Sequence, residues 1–303
     1  MAITISVGSG KGGVGKSIAI SNIALLLAKA GKKVCIVDFD IGGADTHILF
    51  GLFQPKYTLT DFLDKRVETI QETIQTMDVF YGLQLIPGTG DTLQTANMNF
   101  QQKQRLLRAI GGIDADVILF DVGAGTNYHT LDFFMATDIQ MCVAMPEPTS
   151  IMDFYTFLQL ATIRKTLSKF LSSGDISQKI KNNRFSSLDQ ALELIEEMEP
   201  GGRQKAQESL RYFNPLLIIN RVTPKSKLNR AKLHKMASRY LGIYLPDLGD
   251  IPHDETMSAA LKAFMPIAEY DPKAPASIAF QTITHRLLKI LALYEKKAGK
   301  SEL

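Results

Sequence analysis

The residues best suited to chemistry lie near the start of the chain, in a short segment rich in glycine and lysine. It reads Gly8-Ser9-Gly10-Lys11-Gly12-Gly13-Val14-Gly15-Lys16-Ser17. Glycines allow backbone N–H groups to turn inward around phosphate oxygens, and a helix that begins here adds its positive end. Lys16 would then reach the β- and γ-phosphates of a nucleotide, and the Ser17 hydroxyl would bind Mg²⁺. We predict a nucleotide site formed by Gly10, Lys11, Gly12, Gly13, Val14, Gly15, Lys16, Ser17 and Ile18.

A phosphate loop requires a strand before it and a helix after it. The run at residues 3–7 is short, apolar and β-branched, whereas residues 18–30 follow a helical period that stops at Gly31. The alternative is a glycine-rich turn without a ligand. We favour nucleotide binding, because five glycines, a Lys-Ser pair and the correct flanking elements rarely coincide by chance.

Lys11 is an additional lysine, placed five residues before Lys16. Because the loop already directs Lys16 to its own phosphates, Lys11 is free to reach the nucleotide of another subunit. With this lysine the loop resembles that of the MinD/ParA group of deviant Walker A ATPases, which has the form KGGVGK followed by Ser or Thr. The resemblance implies that ATP joins two subunits face to face as a homodimer, with Lys11 contacting the nucleotide of the opposite subunit.

Two acidic motifs follow later strands and extend the resemblance. Segment 37–43 is similar to the first switch of the family, and segment 121–125 is similar to its Walker B and second switch. Hydrolysis of ATP needs a metal ion to neutralise phosphate charge and a group to orient water. The resemblance implies that Asp38 lies near Mg²⁺ through water, that Asp40 orients the attacking water, and that Asp121 holds Ser17 and a metal-bound water. For each aspartate, the alternative is a solvated loop carboxylate.

The ends of two later strands are similar to the adenine pocket of the family. Asn220 follows the apolar run 216–219, and Pro252 follows Ile251 at the end of another strand-like run. The resemblance implies that Asn220 hydrogen-bonds the purine and that Pro252 packs on its face. Ordinary turn chemistry is the alternative, since Asn and Pro are both favoured at strand ends.

The rest of the 303-residue chain alternates between strand-like and helix-like segments. This alternation predicts an α/β fold, doubly wound, with a mainly parallel sheet and helices on both faces. The resemblance implies a P-loop NTPase of the SIMIBI type. We predict one domain over residues 1–303, with the ligand residues at the carboxyl ends of the strands. The predicted strands lie near residues 3–8, 33–38, 83–87, 116–122, 138–145, 215–221 and 246–251.

The segment 168–214 is too long to be a simple connection between the helix that begins near Thr149 and the next strand. Ser187 starts a capping box, and an apolar helical period follows until Pro200. A second helix is predicted over residues 203–213. We therefore expect an inserted helical hairpin that packs on the core or projects from it. It is either a decoration of the fold or a docking surface for a partner.

A basic segment follows the insertion. Between Leu216 and Pro246 there are seven Lys and Arg residues and no Asp or Glu, and all seven lie within residues 221–239. Such runs are usually a solvated helix face. The alternatives are non-specific binding of DNA phosphates or of an anionic membrane surface. A separate membrane-binding helix at the end of the chain is not expected, because residues 295–303 contain no bulky apolar side chain before Leu303.

Composition bounds the cellular setting. The two cysteines, Cys35 and Cys142, lie in apolar strand-like runs, so we expect buried, reduced thiols and no metal cluster. The first residues enter a strand without a basic region or cleavage site, so no secretory signal is expected. We predict a cytoplasmic protein, and leave open peripheral binding at the inner membrane or the nucleoid.

Together these features predict an ATP-dependent dimerisation switch. It would bind and slowly hydrolyse ATP with Mg²⁺ to control the position or assembly of a flagellum, a division site or a DNA cargo, with a protein partner as activator or cargo. Segment 121–125 and the Pro87-Gly88 turn resemble the flagellar-number regulators of the FlhG/FleN kind. The alternatives are a metabolic ATP-dependent ligase or synthetase on the same fold, and a nucleotide-binding adaptor.

Overall fold

The computed structural model describes residues 2–40, 43, 45–88, 98, 100–168, 170 and 185–300. Within these residues, eight strands form one sheet. In chain order they are β1 (Ile3–Gly8), β2 (Val34–Phe39), β3 (Gln75–Met77), β4 (Leu83–Ile86), β5 (Val117–Val122), β6 (Ile139–Ala144), β7 (Leu216–Val222) and β8 (Asp247–Pro252). Their order across the sheet is β3-β4-β2-β5-β1-β6-β7-β8. Neighbouring strands are parallel except β3 and β4, which are antiparallel.

The sheet is covered on both faces, which explains why its central strands are continuously apolar instead of alternating. Every position of β2, β5 and β6 is buried. Successive residues of β5 pack on opposite faces: Val117 and Leu119 belong to one apolar core, and Ile118 and Phe120 belong to the other. The sheet therefore separates two cores.

Helices pack on each face, as the doubly wound fold requires. Within the described residues they are α1 (Lys16–Lys29), α2 (Leu59–Leu63), α3 (Phe100–Ile110), α4 (Tyr128–Met135), α5 (Pro148–Ser168), α6 (Leu188–Met198), α7 (Gly202–Leu210), α8 (Arg230–Met236), α9 (Thr256–Lys262), α10 (Ile267–Tyr270) and α11 (Pro275–Lys300). Helices α1, α9, α10 and α11 share the core of Leu119, and the other helices share the core of Phe120.

The predicted fold class is confirmed, and all of the predicted strands are present. The observed ends of these strands lie within one residue of the predicted ends. The sequence does not predict β3, because its three residues include two polar ones and show no apolar run. The carboxyl ends of the parallel strands meet at one edge of the sheet, and the predicted site residues follow or end these strands.

The described part of the insertion packs on the core and does not project from it. Helix α6 begins after Ser187, whose hydroxyl accepts a hydrogen bond from the Gln190 N–H at 3.3 Å, as a helix cap does. The apolar faces of α6 and α7 lie in the same buried cluster as the apolar face of α5. Residue 169 and residues 171–184 of the predicted insertion lie outside the described residues.

The C-terminal helix α11 packs one face on the core. Phe280, Leu287 and Leu291 are fully buried, whereas Leu293 is 60% exposed. Among the helices that the structure describes, none has the length and apolar character needed to span a membrane.

Both cysteines lie inside the sheet. Cys35 in β2 and Cys142 in β6 are free and fully buried. Burial raises the pKa of the Cys35 thiol to about 12 and raises that of Cys142 further. In the described ranges, no group of three or more His, Cys, Asp or Glu side chains is arranged to hold a metal ion.

Candidate functional site

The glycine-rich segment forms the tight connection between β1 and α1. Gly15 directly precedes α1 and has a φ of 95°, in the left-handed region that glycine tolerates. A methyl group at Gly15 would lie 2.3 Å from the Asn220 Nδ2 atom, and one at Gly10 would lie 2.1 Å from the Asp153 backbone oxygen. The loop is therefore packed against β7 and α5 at points where only glycine fits.

Lys16 and Ser17 are the first residues of α1 and lie beside Asp121 of β5. The Lys16 side chain is almost completely buried despite its charge. Both Lys16 and Ser17 interact with the Asp121 carboxylate and favour its ionised form. The structure thus brings together the lysine, the serine and the aspartate that the sequence predicts to act on one nucleotide.

Asp38 and Asp121 form a pair of buried carboxylates on neighbouring strands. They occupy opposite positions in the register of β2 and β5, and both are at most 1% exposed. Burial and the nearby charge of Asp121 raise the pKa of Asp38 well above its usual value. Burial also raises the pKa of Asp121, although Lys16 acts in the opposite direction. Two carboxylates placed in this way need a bound proton or a cation nearby.

Among the described residues, one oxygen of the Asp121 carboxylate has no hydrogen-bond partner. Its Oδ2 atom accepts a hydrogen bond from the Thr46 hydroxyl at 2.7 Å, whereas its buried Oδ1 atom accepts none from this part of the chain. Mg²⁺ prefers oxygen ligands and is usually bound through one or two carboxylates together with the phosphates of a substrate. Ser17, Asp38 and Asp121 therefore fit a Mg²⁺–nucleotide site.

Asp40 connects the two switch-like segments. Its backbone N–H donates to Asp38 Oδ1 at 2.9 Å. Its carboxylate lies next to Gly123, where an added methyl group would be 3.1 Å from Asp40 Oδ1. The side chain is half-buried, so it remains accessible to water while its backbone is fixed. Ile41 and Gly42 of the predicted first switch lie outside the described residues.

Lys11 contacts its own chain in this structure. Its Nζ atom donates to the Thr149 hydroxyl at 3.4 Å and lies 3.9 Å from Asp153 Oδ2. Both partners belong to the first two turns of α5. The Lys11 side chain is 35% exposed, and exposed ion pairs of this kind add little stability. Lys11 is therefore held loosely, at the rim of the phosphate loop.

Asn220 and Pro252 lie at the ends of the neighbouring strands β7 and β8. The Asn220 side chain is buried, and its Nδ2 atom donates to the Val14 carbonyl at 2.8 Å. Its Oδ1 atom accepts from the Arg221 N–H at 2.9 Å; Arg221 has a φ of 56°, uncommon for a residue with a side chain. Asn220 thus anchors the phosphate loop, a contact that the sequence does not predict. Pro252 is half-buried on β8, opposite Val222 of β7.

Thr46 is a further residue at the site that sequence reasoning missed. It is fully buried between β2 and the short 3₁₀ helix at Ile48–Phe50. Besides its bond to Asp121, its backbone N–H donates to Asp38 Oδ2 at 3.3 Å. No local pattern marks a lone threonine in a polar loop, so only the folded structure shows that it joins the two carboxylates.

This arrangement agrees with the relationships of the chain to known proteins. A family model described as ParA, NUBPL iron-transfer P-loop NTPase, matches residues 1–167, which is more than half of the chain. The chain belongs to the ParA family. The resemblance of the loop and acidic motifs to the MinD/ParA group is thereby confirmed.

Several relatives of this ParA-family chain match most of its length. The antiactivator FleN of Pseudomonas aeruginosa is 27% identical over 289 residues, covering 93% of this chain and 85% of FleN. An uncharacterized ATP-binding protein of Methanocaldococcus jannaschii is 30% identical over 231 residues, covering 75% of this chain and 84% of the relative. The septum site-determining protein MinD of Pyrococcus horikoshii, solved in complex with Mg-ADP, aligns with a TM-score of 0.66 at 19% identity, covering 97% of this chain and 98% of that chain. This last similarity concerns the fold alone.

Proposed function

We propose that this ParA-family protein is an ATP-dependent dimerisation switch that binds ATP with Mg²⁺ and hydrolyses it slowly. The main support is the position of Lys16 and Ser17 beside the buried pair Asp38 and Asp121. Catalysis of phosphoryl transfer consists mainly of positioning and charge stabilisation. Lys16 and the loop N–H groups would bind the phosphates, while Ser17, Asp38 and Asp121 would hold Mg²⁺, which when bound neutralises phosphate charge.

Asp40 is the residue that we assign to the attacking water. Its carboxylate lies beside Gly123 of the second switch-like segment, and its backbone is tied to Asp38. A carboxylate in this position can accept a hydrogen bond from water and orient it for attack. Turnover would stay slow for as long as no partner completes the arrangement of the two segments.

Lys11 is the residue that we assign to dimerisation. Its present partners, Thr149 and Asp153, hold it by one long hydrogen bond and one exposed ion pair. Breaking these two contacts costs little free energy, because water screens such pairs. The Lys11 Nζ atom is then available to the phosphates of a nucleotide bound to a second subunit, and a charge-assisted hydrogen bond to such an anion is stronger than the contacts it replaces.

The test is the solution mass by light scattering with ADP, ATP and a non-hydrolysable ATP analogue. We expect the wild-type mass to double only with a triphosphate, and Lys11→Ala to bind nucleotide but remain monomeric. Lys33→Ala is the matched control, because Lys33 is an exposed lysine paired with Asp114 away from the site. ATP-linked dimerisation of Lys11→Ala would contradict the role of Lys11. A monomer under every condition would favour the ligase alternative and call for assays with carboxylate substrates.

We propose that the switch controls the number or position of a cellular structure, and the flagellum is the first candidate. The support comes from the relatives: FleN is an antiactivator, and a flagellum site-determining protein of Helicobacter pylori is 29% identical over 75% of this chain. A septum site-determining MinD of the same organism is 27% identical over 95% of this chain. Counting flagella and mapping septa in a deletion strain separates the two roles. Such a protein would act in the cytoplasm, with a protein partner, at the inner membrane or the nucleoid.

The basic segment is a candidate surface for DNA phosphates. Six exposed cations, here called the basic surface, are Arg221, Lys225, Lys227, Lys232, Lys235 and Arg239. None of them forms an ion pair with an acid in the described ranges, whereas Arg230 is paired with Asp247. The exposed side of α8 presents Ala231, Lys232 and Lys235, and the exposed aromatic residues Tyr240 and Tyr244 follow it. Unpaired cations attract DNA phosphates without regard to sequence, and we favour DNA as the partner of this surface.

A further inference from the structure

Thr46 is the one residue in the described ranges that hydrogen-bonds both carboxylates of the proposed metal pair. Its hydroxyl donates to Asp121 Oδ2 at 2.7 Å, and its backbone N–H donates to Asp38 Oδ2 at 3.3 Å. The two aspartates belong to different strands, so Thr46 is a bridge between β2 and β5. Thr46 itself is fully buried, and water cannot replace its hydroxyl in this role.

The two carboxylates differ in how many of their oxygens accept a hydrogen bond. Asp38 has both oxygens engaged, Oδ1 by the Asp40 N–H and Oδ2 by Thr46. Asp121 has Oδ2 engaged by Thr46, while its buried Oδ1 accepts no hydrogen bond of normal geometry from the described residues, although the Ser17 hydroxyl interacts with the same carboxylate. Buried polar atoms are nearly always satisfied. An unsatisfied carboxylate oxygen beside Lys16 and Ser17 is therefore the position at which a cation, or water bound to it, would be expected.

We propose that Thr46 is a positioning residue for Mg²⁺: its hydroxyl and N–H fix the two carboxylates relative to each other, so that Asp121 keeps Oδ1 free for the metal ion or its water. The inference rests on the proposed nucleotide site. Groups that hydrogen-bond metal-ligating carboxylates orient them and set the affinity for the metal. Thr46 lies six residues after Asp40 in the chain, so the residue assigned to water and the metal pair are both close in sequence to this contact.

The test compares Thr46→Val, which removes the hydroxyl and keeps the shape, with Thr46→Ser, which keeps the hydroxyl. A fluorescent ATP analogue is titrated at increasing MgCl₂ and, separately, in EDTA. We expect Thr46→Val to raise the Mg²⁺ concentration for half-maximal binding by about 10- to 100-fold, the usual effect of losing such a supporting group. Binding in EDTA should stay at the wild-type level, and Thr46→Ser should behave like wild type.

Thr73→Val is the matched control. Thr73 is also fully buried, and its hydroxyl donates to the Ile70 carbonyl at 2.7 Å away from the site. An equal change in the Mg²⁺ requirement of Thr73→Val and Thr46→Val would overturn the proposal, because the effect would then be general destabilisation. An unchanged requirement in Thr46→Val would also overturn it, yet would leave the proposed nucleotide site intact. Wild-type binding that does not depend on Mg²⁺ would overturn both the proposal and the assignment of Mg²⁺ to Ser17, Asp38 and Asp121, whereas absence of any nucleotide binding by the wild type would overturn the proposed nucleotide site itself.

A second measurement tests whether Thr46 acts on Mg²⁺ through Asp121. In the Asp121→Asn background, the Thr46→Val change should have no additional effect on the Mg²⁺ requirement, because the carboxylate that Thr46 positions is gone. Coupled residues give non-additive effects, whereas independent ones add. Full additivity of the two substitutions would overturn the proposal.

Discussion

The charged side chains at the carboxyl edge of the sheet are buried, whereas those of the basic surface are exposed to solvent. At the edge, Lys16, Asp38 and Asp121 are buried side by side, and burial shifts the pKa of both carboxylates upward. On the basic surface, the cations are exposed, and salt screens them. Interactions between charges are strong where water is absent and weak where it is present. Substitutions at the edge should therefore change nucleotide chemistry strongly, and those on the basic surface should have small, salt-dependent effects.

The largest effect is expected for Asp40→Ala. Asp40 is expected to orient the attacking water or to accept a proton from it. Loss of such a group should lower the ATP hydrolysis rate by about 10²- to 10⁴-fold. Nucleotide binding should persist, so the dimer should accumulate with ATP. Single-turnover hydrolysis and light scattering measure the two quantities. Asp45→Ala is the control, because Asp45 is an exposed carboxylate on the same loop. Equal rates for Asp40→Ala and wild type would remove Asp40 from the chemistry.

Lys16→Ala should weaken nucleotide binding by roughly 100-fold, since a hydrogen bond to a charged group contributes about 1.5–3 kcal/mol and each 1.4 kcal/mol is tenfold. Calorimetric titration with ATP and Mg²⁺ measures the change. Lys29→Ala removes a lysine from the other end of the same helix, where it pairs with Glu269. If both variants bind nucleotide equally well, Lys16 contributes to the fold and not to phosphate binding. The buried charges at the edge would then have no stronger effect on nucleotide binding than exposed ones.

Asp132 and its two basic partners test whether partly buried charges behave like the fully buried charges at the carboxyl edge of the sheet. Asp132 on α4 contacts Lys103 of α3 and Arg164 of α5. Burial alone would raise its pKa, but the hydrogen bonds from Arg164 and Lys103 outweigh burial and lower it. A lowered pKa means that ionised Asp132 stabilises the fold above its unfolded pKa, and that this contribution is lost as the pH falls through the lowered folded pKa.

We therefore expect Asp132→Asn to reduce the free energy of unfolding by about 2 kcal/mol at neutral pH. The difference from wild type should shrink as the pH falls below the usual range for aspartate. Urea denaturation at neutral and acidic pH measures both. Asp114→Asn is the control, because Asp114 pairs with Lys33 in full exposure and should leave stability near wild type. A difference that does not depend on pH would show that packing, and not charge, determines the effect of Asp132.

Local patterns predicted the phosphate loop, the acidic motifs and the buried strands, because each of these depends on residues that are close in sequence. The contacts that organise the site depend on residues that are far apart. Asn220 binds the Val14 carbonyl across 206 positions, and Lys11 meets Thr149 across 138. Thr46 joins two carboxylates only because β2 and β5 are adjacent in the sheet. Such pairings have no periodicity or motif that a sequence can display, and β3 was missed because three residues are too few for a pattern.

The smallest effect is expected on the basic surface, with the Lys232→Gln/Lys235→Gln double variant. Each lost phosphate contact should reduce the slope of log affinity against log salt by about 0.9, so a loss of about 1.8 is expected for duplex DNA. Binding of short DNA by the ATP-bound protein, measured across a salt series, gives the slope. Lys262→Gln/Lys273→Gln removes the same charge from exposed positions elsewhere. An equal loss in both variants would assign the effect to net charge, and an unchanged slope would identify the basic surface as a solvated helix face. Either result would mean that the basic surface is not a defined binding site for DNA phosphates.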